Sequence, residues 1–268
     1  MKKNKKYTES NRKAWNQAMP RHQKVMKKKW DKRFQENNYV LQKGIELEKL
    51  NEIDINDKDV AHLCCNNGVE LLSLKNMGAG RCVGFDISDK AIKEARERAD
   101  KTGINCEYVR TDVLNIDKKY YNSFDLIYIT IGALVWLPDL NKFFSNANKL
   151  LRKDGRVFIY EQHPFAEVFP WWEGEGENNL TAIHSYFDKK PDISTEGIDY
   201  IGGTTYNSHP SYEFTHTLSE IFMGLIDNGI NIQYFKEYSH DISNVYTHLI
   251  DDKVKLPLSY ILIGEKTN

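Results

Sequence analysis

The stretch HLCCNNGVELLSL, residues 62–74, has the pattern of a buried strand that passes through a tight turn into a helix. An apolar run over 59–65 predicts the strand, and apolar residues at helical spacing over 69–78 predict the helix. The turn carries two asparagines and keeps a single glycine, Gly68. Because a strand, a tight turn and a helix N-terminus together form a common place to hold a polar or anionic ligand, we expect a binding site here.

Strands and helices continue to alternate after this stretch. Apolar runs predict four more strands, over 81–88, 104–112, 124–132 and 156–163. Strands that alternate with helices at this spacing pair in parallel and are covered by helices on both faces. The sequence therefore predicts an α/β protein with a doubly wound, mostly parallel sheet.

The helix after the second strand has clear signals at both ends. Ser88 is expected to cap its start, and Gly103 is expected to end it. Glu94 and Arg98 lie one turn apart, and we expect them to form an ion pair on the solvent-facing side of this helix. A later helix is expected to begin at Asp139.

The alternation stops after the fifth strand. Residues 164–215 are rich in aromatic residues, proline and glycine without a sustained period, which predicts an insertion over the carboxyl ends of the strands. Thr217 and Glu220 form a capping box for a helix, and two strands follow over 230–240 and 255–266 with a short connection. Strands this close together favour an antiparallel hairpin at the sheet edge, which brings the sheet to seven strands.

The chain begins with a strongly basic segment. Residues 1–33 contain thirteen Lys or Arg and only two acidic residues. Such a segment suits phosphate backbones, but its apolar residues, among them Trp15 and Trp30, also suit a solvated helix that docks on the body. Both interpretations stay open. The predicted parts are a basic helical arm (1–50), a ligand-binding core (51–163), the insertion (164–215) and a C-terminal helix with hairpin (216–268).

Composition places the chain among soluble globular proteins. The apolar fraction is 40% and the aromatic fraction 12%, both ordinary for that class. No apolar run approaches the roughly 20 residues of a membrane helix, and the basic start leads into polar sequence, so we expect a cytoplasmic protein. The four cysteines form no C-x-x-C pair and are expected to be reduced core thiols.

Polar residues end three of the predicted strands. Asp86 follows Gly68 by eighteen residues, at a distance where a carboxylate can accept both hydroxyls of a ribose. Asp112 ends the third strand, and residues 130–132 end the fourth. Because these strand ends share one edge of the sheet, a single nucleoside could span them, with its ribose at Asp86 and an adenine amino group at Asp112.

These segments resemble the motifs of the class I S-adenosylmethionine-dependent methyltransferases. VAHLCCNNG (60–68) stands in the place of their V-L-D-L-G-C-G-x-G motif, although Cys64 and Asn66 replace glycines and His62 replaces an acid. Three later motifs and a closing N-terminal helix are matched by GFDIS (84–88), RTDV (110–113), FDLIYITIGALVWLPDL (124–140) and NRKAWNQAMPRH (11–22). The late hairpin also belongs to that fold. The resemblance implies S-adenosylmethionine as cofactor and S-adenosylhomocysteine as product.

The resemblance also implies which residues contact the cofactor. They are the turn residues Cys64, Asn66, Asn67 and Gly68, the strand-end residues Asp86, Ile87, Thr111, Asp112, Val113, Thr130, Ile131 and Gly132, and Tyr7 and Trp15 of the arm. A turn beside this cofactor faces no pyrophosphate, so fewer glycines suffice than in dinucleotide-binding folds. Asn66 and Asn67 are expected to help because asparagine tolerates positive φ better than most residues.

Methyl transfer mainly requires that the acceptor is held in line with the donor, and a base is needed only if the acceptor must lose a proton. His163 and His216 are candidates for that base, and alternatively they end a strand and pack at the start of a helix. The candidate substrate walls are aromatic: Trp136, Trp171, Trp172 and Tyr212. Trp171 and Trp172 alternatively pack the insertion onto the body. No metal-ligand spacing is found, and Glu173 and Glu175 are expected in solvated loop.

The fourth strand end lacks the signatures of common nucleic-acid methyltransferases. No Asn or Asp followed by Pro-Pro and an aromatic residue occurs there, and no proline precedes a cysteine. We therefore expect a small-molecule substrate and no nucleic-acid or membrane partner. Two alternatives stay open: an RNA methyltransferase that uses the basic arm, and a non-catalytic module that binds S-adenosylmethionine. An NAD-linked oxidoreductase is disfavoured by the missing G-x-G-x-x-G.

Overall fold

The structure is a computed structural model, and it describes residues 2–171, 180–250 and 253–267. Its helices are α1 (Lys2–Arg33), α2 (Gly44–Glu52), α3 (Val69–Asn76), α4 (Asp89–Thr102), α5 (Leu140–Leu150), α6 (Leu218–Ile226) and α7 (Thr247–Ile250). Its strands are β1 (Val60–Leu63), β2 (Cys82–Asp86), β3 (Glu107–Arg110), β4 (Phe124–Thr130), β5 (Leu151–Gln162), β6 (Asp192–Ser194), β7 (Ser211–Glu213), β8 (Ile230–Tyr238) and β9 (Ser259–Lys266).

Seven strands form one sheet in the order β3-β2-β1-β4-β5-β9-β8. The first five strands pair in parallel, and β9 runs antiparallel to both β5 and β8. The predicted fold class is thus confirmed. The connection between the last two strands is longer than expected, because it includes α7 and packs Tyr246 and Leu249 against Phe169 of the insertion.

Different helices bury the two faces of the sheet. On one face, Leu50 of α2, Leu71 of α3 and Ile92 of α4 belong to one core cluster. On the other face, Phe143 of α5 and Leu225 of α6 belong to a second cluster. A parallel sheet covered on both sides leaves the carboxyl ends of its strands as the open edge, and ligands bind there.

The predicted helix ends are confirmed. The Ser88 hydroxyl accepts a hydrogen bond from the Ala91 amide at 3.2 Å, and Gly103 ends α4 with φ of 70°. The Asp139 carboxylate accepts from the Lys142 amide at 2.9 Å, and Thr217 with Glu220 forms a complete capping box at α6. Local sequence therefore fixes where these helices start.

The helix α5 ends sooner, and β5 begins earlier, than the sequence predicts. The helix stops at Leu150, and β5 starts at Leu151 instead of 156. The amine of Lys266, from β9, donates to the carbonyl of Asn148 at 2.9 Å and to that of Leu151 at 2.8 Å. This remote side chain satisfies carbonyl groups at the helix end, which local sequence does not reveal.

The ion pair predicted on the solvent side of α4 is buried, so that expectation was wrong. Glu94 is 2% exposed and Arg98 is 1% exposed, because α1 lies across this face of α4. The Arg98 guanidinium pairs with Glu94 and donates to Asp31 of α1 at 3.1 Å. It also donates to the carbonyl of Asn67 at 2.8 Å and so helps to hold the turn after β1.

The basic arm is a single helix, α1, that contains Pro20 and crosses the molecule from the strand ends to α4. Its Lys27 pairs with Glu97 of α4 at 2.6 Å, and its Arg12 pairs with Asp89 at 2.7 Å. Within the described ranges, no helix combines the length and the apolar character that a bilayer crossing requires.

Candidate active site

The turn after β1 alternates between left-handed and ordinary backbone. The φ angles are 59° at Cys64, 47° at Asn66 and 76° at Gly68, whereas Asn67 is not among the positive-φ residues of the described chain. The three left-handed positions are those where the resembling motif has glycine. Positive φ costs roughly 1 kcal/mol at a residue with a side chain, and less at asparagine. The glycine-poor turn therefore keeps the backbone of a glycine-rich one.

Gly68 has a steric reason to remain glycine. A β-carbon at this position would lie 2.4 Å from the ring of Tyr108, which itself donates its hydroxyl to the Gly68 carbonyl at 2.8 Å. No side chain fits there, whereas Cys64 packs partly buried against the core. The turn keeps its one glycine at the place where Tyr108 approaches the backbone.

Asp86 lies directly beside this turn, as predicted. Its carboxylate accepts hydrogen bonds from the Asn66 amide at 2.9 Å and from the Ser88 amide at 2.8 Å. Burial raises the pKa of Asp86, and the amides of Ser88, Asn66 and Ile87 oppose that rise. Each carboxylate oxygen accepts one of these two backbone bonds and keeps further acceptor capacity, so Asp86 can still take two hydroxyl groups.

Asp112 connects the end of β3 to the arm. One carboxylate oxygen accepts from the Leu114 amide at 2.9 Å, and the other accepts from the Thr8 hydroxyl of α1 at 3.0 Å. The Thr111 amide donates to the Asp86 carbonyl at 2.8 Å, which joins the two strand ends. The next residue, Val113, is buried in the core. The structure thus brings the turn, Asp86 and Asp112 together under α1.

The loop after β4 is held by a residue that sequence reasoning missed. Glu161, near the end of β5, is 3% exposed, and its carboxylate accepts from the amides of Gly132 at 2.6 Å, Ala133 at 2.7 Å and Leu134 at 3.1 Å. Gly132 has φ of 75°. The available signal was the lone acid inside the apolar strand RVFIYEQ. A carboxylate with three backbone donors fixes the shape of this loop.

Thr130 and Ile131 precede that loop. The Thr130 hydroxyl lies 3.2 Å from Nε2 of His62 in β1, and Ile131 is 41% exposed at the strand edge. Burial lowers the pKa of His62 to about 3, so its ring is neutral. His62 therefore links β1 to β4 as a strand residue with a local hydrogen bond.

The arm and the insertion meet above the strand ends and form what we call the lid, residues 7–22 of α1 and residues 198–214. The Asn11 amide group donates to the Tyr212 carbonyl at 2.9 Å, and the Tyr212 amide donates back to Asn11 at 2.7 Å. Two further hydrogen bonds cross this interface, from Ser10 to Pro210 and from His209 to Gln17. The lid is thus one hydrogen-bonded unit built from two remote segments.

Four of the predicted aromatic residues pack at the lid. Trp15 of α1 lies 5.3 Å from Trp136 between ring centroids, and Tyr7 lies 4.9 Å from Tyr212. His22, a further residue that the sequence suggested as a wall of the site, is buried beside Trp15 and contacts the Ile198 carbonyl at 2.7 Å. The arm therefore places aromatic side chains over the strand ends, which is where the resemblance implied a closing helix.

Trp171, a further predicted wall residue, does not join this group. Trp171 stacks on His184 at 4.6 Å and packs against the cluster that contains Phe169 and Leu249. This position matches the alternative in which Trp171 packs the insertion onto the body. Trp172 lies outside the described residues, as do Glu173 and Glu175.

The two candidate histidines lie in different surroundings. Nε2 of His163 is 2.9 Å from Glu237 of β8, and Nδ1 accepts from the Phe165 amide at 3.1 Å, so both ring nitrogens are engaged. His216 donates from Nε2 to the Leu137 carbonyl at 2.9 Å and lines a cleft below the lid. Burial lowers the pKa of both rings. The catalytic role stays a prediction for each.

That cleft, called here the acidic cleft, is small, with an interior volume of about 20 Å³, and it opens to solvent on one side. Its lining includes Leu134, Glu161, Glu167, Phe214, His216 and Tyr260. Burial, with the charges of Glu213 and Glu161 nearby, raises the pKa of Glu167 to about 8. Burial and Asp192 raise the pKa of Glu213 to about 7. No group of three metal-ligating side chains is arranged to hold an ion among the residues the structure describes.

Comparison with known proteins finds similarity to methyltransferases. Residues 60–155 match the family model of a methyltransferase domain. A ribosomal protein L11 methyltransferase of Thermosipho africanus is 30% identical over 102 residues, which are 38% of this chain and 36% of that protein. A tRNA U34 carboxymethyltransferase of Campylobacter hominis is 29% identical over 109 residues, which are 40% of this chain and 37% of that protein. The chain thus spans little more than a third of the length of these curated relatives.

A solved S-adenosylmethionine-dependent methyltransferase of Clostridium acetobutylicum shares the fold. It superposes with a TM-score of 0.57 at 15% identity, covering 92% of this chain and 96% of that chain. The segment matched by the family model contains the turn, Asp86 and Asp112. Residues 60–155 therefore match a methyltransferase domain, and the chain shares the fold of solved S-adenosylmethionine-dependent methyltransferases.

Proposed function

We propose that this protein transfers a methyl group from S-adenosylmethionine to a nucleophilic oxygen, nitrogen or sulfur atom of a small molecule. The cofactor supplies an electrophilic methyl group on a positively charged sulfonium. Asp86 fits its ribose because each carboxylate oxygen retains acceptor capacity beside its backbone donor. Asp112 fits an adenine amino group, with Thr8 closing over it from the arm.

The single observation that carries the small-molecule proposal is the lid. Reciprocal hydrogen bonds between Asn11 and Tyr212 join the arm to the insertion above the strand ends. The rings of Tyr7, Trp15 and Trp136 pack at this cover. A covered site with aromatic walls suits a compact acceptor, which it can hold in line with the donor while water is excluded.

The groups that would act on the acceptor lie around the acidic cleft. Glu161 holds the loop over 132–134 in place, so this loop can position an acceptor without moving. His216 is neutral near pH 7, because burial lowers its pKa, and a neutral imidazole can take up a proton that an acceptor loses. We propose His216 as the base in preference to His163, because His216 lines the cleft and His163 is not among its lining residues.

A structured RNA is the second candidate substrate, and one observation favours it. The arm exposes a row of basic side chains, Lys5, Lys6, Lys13, Lys24, Lys28, Lys29, Lys32 and Arg33. Exposed cations along a helix attract phosphate backbones, and such binding weakens steeply as salt rises. The tRNA modification enzyme among the relatives gives this alternative further support.

The experiment that separates these candidates uses S-adenosylmethionine labelled on its methyl group. The purified protein is incubated with a cell extract that has been divided into small-molecule, RNA and protein fractions. We expect label in the small-molecule fraction. Label in RNA that nuclease treatment removes would replace our proposal with the RNA candidate.

A matched titration of S-adenosylhomocysteine tests the cofactor separately. Binding without transfer to any fraction would favour the non-catalytic module. Failure of the intact protein to bind would contradict the proposed use of S-adenosylmethionine.

A further inference from the structure

The acidic cleft contains more polar groups than the proposed methyl transfer requires. Glu161 is saturated, since its two oxygens accept from Gly132, Ala133 and Leu134 and also from the Gln162 amide at 3.2 Å. Glu167 accepts a side-chain hydrogen bond from Thr215 and retains further acceptor capacity. Glu167 is therefore the carboxylate of the cleft that a ligand can still engage.

Tyr260 of β9 adds an unsatisfied group to the same cleft. Its side chain is 0% exposed and lines the cleft, and within the described parts of the chain no group hydrogen-bonds its hydroxyl. An unsatisfied buried hydroxyl costs about 1–3 kcal/mol, so such groups are rarely retained without a partner. A ligand in the cleft would provide that partner.

The charge of the cleft indicates what kind of ligand this is. Glu161, Glu167 and Glu213 lie close enough that two of these charges raise the pKa of the third, Glu167. In the ranges 2–171, 180–250 and 253–267, neither Lys nor Arg forms an ion pair with any of the three. Uncompensated carboxylates in a partly buried site favour a cation, and the described residues offer no metal-binding group.

On the basis of the function proposed above, we propose that the methyl acceptor is a small molecule with an ammonium group. The acidic cleft binds this group. Glu167 releases its proton to solvent on binding and pairs as a carboxylate with the charge, and the Tyr260 hydroxyl accepts a hydrogen bond from the ammonium. The ring of Phe214, which also lines the cleft, provides an aromatic surface beside the cation. The interior of the cleft is about 20 Å³, room for a group the size of an ammonium and no more, so the rest of the acceptor lies outside it, below the lid.

A pair of probes that differ in charge tests this proposal. Benzylammonium and benzyl alcohol are similar in size, and only the first carries an ammonium group. Each is titrated into the full-length protein saturated with S-adenosylhomocysteine, and binding is followed by ligand-observed NMR. We expect benzylammonium to bind at least tenfold more tightly than benzyl alcohol. Glu167→Gln should remove most of that preference, and Tyr260→Phe should weaken benzylammonium binding several-fold.

The controls separate this inference from the proposed function. Glu48→Gln removes an exposed acid on α2 and should leave probe binding unchanged. Tyr260→Phe removes a hydroxyl that has no partner in the described chain, so the variant should fold normally. Equal binding of the two probes, or an unchanged preference in Glu167→Gln, would overturn the ammonium site. S-adenosylhomocysteine affinity is measured in each variant, and its loss would count against the cofactor proposal alone.

Discussion

The strand ends of β1 to β3 and those of β4 and β5 lie at one sheet edge, but their acidic side chains are held differently. Asp86 accepts from the amide two residues ahead, and so does Asp112. Glu161 instead accepts from amides that are 27 to 29 positions away along the chain. Asp86 and Asp112 thus each keep a local bond beside the longer-range ones from Asn66 and Thr8, whereas Glu161 is held mainly by how β4 and β5 pair.

The residues around the two groups of strand ends also differ. We call the ends of β1 to β3 the cofactor half, and the ends of β4 and β5 with the acidic cleft the acceptor half, after the functions proposed for them. The cofactor half is completed by α1 through Thr8 and by the buried Arg98, which holds the turn. The acceptor half combines Glu167, Phe214 and Tyr260, which come from three remote parts of the chain. The motifs of the family resemblance therefore cover the cofactor half, whereas the acceptor half is assembled from the insertion and β9.

The largest effect is expected on the free energy of unfolding when the buried ion pair beside the cofactor half is broken. Glu94→Ala leaves the Arg98 charge buried with only Asp31 as its carboxylate partner, at 3.1 Å. Breaking a buried pair costs about 3–5 kcal/mol, and the remaining partner places the expected loss near the lower value. Denaturant unfolding measures it. Glu97→Ala, at a 42% exposed surface pair on the same helix, should cost less than about 1 kcal/mol. Equal losses in the two variants would contradict the role of burial.

Asp86→Ala tests the cofactor half at its centre. Two hydrogen bonds to a charged acceptor are worth about 1.5–3 kcal/mol each, so we expect at least a hundredfold loss of S-adenosylhomocysteine affinity by calorimetric titration. The fold should remain, since the sheet does not depend on this side chain. The Asn66 and Ser88 amides donate to different oxygens of Asp86, so Asp86→Asn keeps an acceptor for only one of them and tests loss of the charge with a side chain of the same size. Unchanged affinity in Asp86→Ala would show that the ribose lies elsewhere.

Much of the fold was predictable from the sequence because its signals are local. The helix caps at Ser88, Asp139 and Thr217 and the alternation of strands and helices each depend on neighbouring residues. The errors were non-local. The burial of Glu94 depends on where α1 lies, and the end of α5 depends on Lys266, which is 115 positions from Leu151.

The residues of the candidate site also divide into those that local sequence predicts and those that depend on remote contacts. Asp86, Asp112 and the turn were found because their spacing follows from one strand and one helix. Glu161 gave a signal, a single acid within an apolar strand, but the amides that it binds lie on another strand. Tyr260 gave no signal, since an aromatic residue in a β-strand normally indicates core packing, and only the cleft distinguishes it.

A smaller effect is expected where the two halves meet, at the lid. Asn11→Ala removes both hydrogen bonds to Tyr212, which are 2.9 Å and 2.7 Å long. Each is worth about 0.5–1.5 kcal/mol, so KM for cofactor or acceptor should rise about five- to tenfold, with a smaller change in thermal stability. Lys13→Ala, at an exposed position of the same helix, is the matched control. A normal KM in Asn11→Ala would separate the arm from the site.

The smallest expected effect is a dependence of stability on pH, and it distinguishes the acceptor half from the cofactor half. It arises at Glu167, because the pKa of this acid is raised into the physiological range. The folded protein raises the pKa of Glu167 from 4.5 to about 8, so the folded state holds this proton more tightly than the unfolded chain. The stability from that proton is fully present below about pH 4.5 and is lost as pH rises to 8. Glu167→Gln cannot titrate, so its melting temperature should match wild type near pH 4.5 and exceed it at pH 8.5. With allowance for solvent screening, we expect a difference of about 1 kcal/mol, or roughly 2–4 °C. Glu48→Gln, at an exposed acid on α2, should show no such pH-dependent gain. A melting-temperature difference between Glu167→Gln and wild type that stays constant across the pH range would mean that Glu167 is ionised in the free protein. Glu167 would then differ from Asp86 in its position and not in its charge.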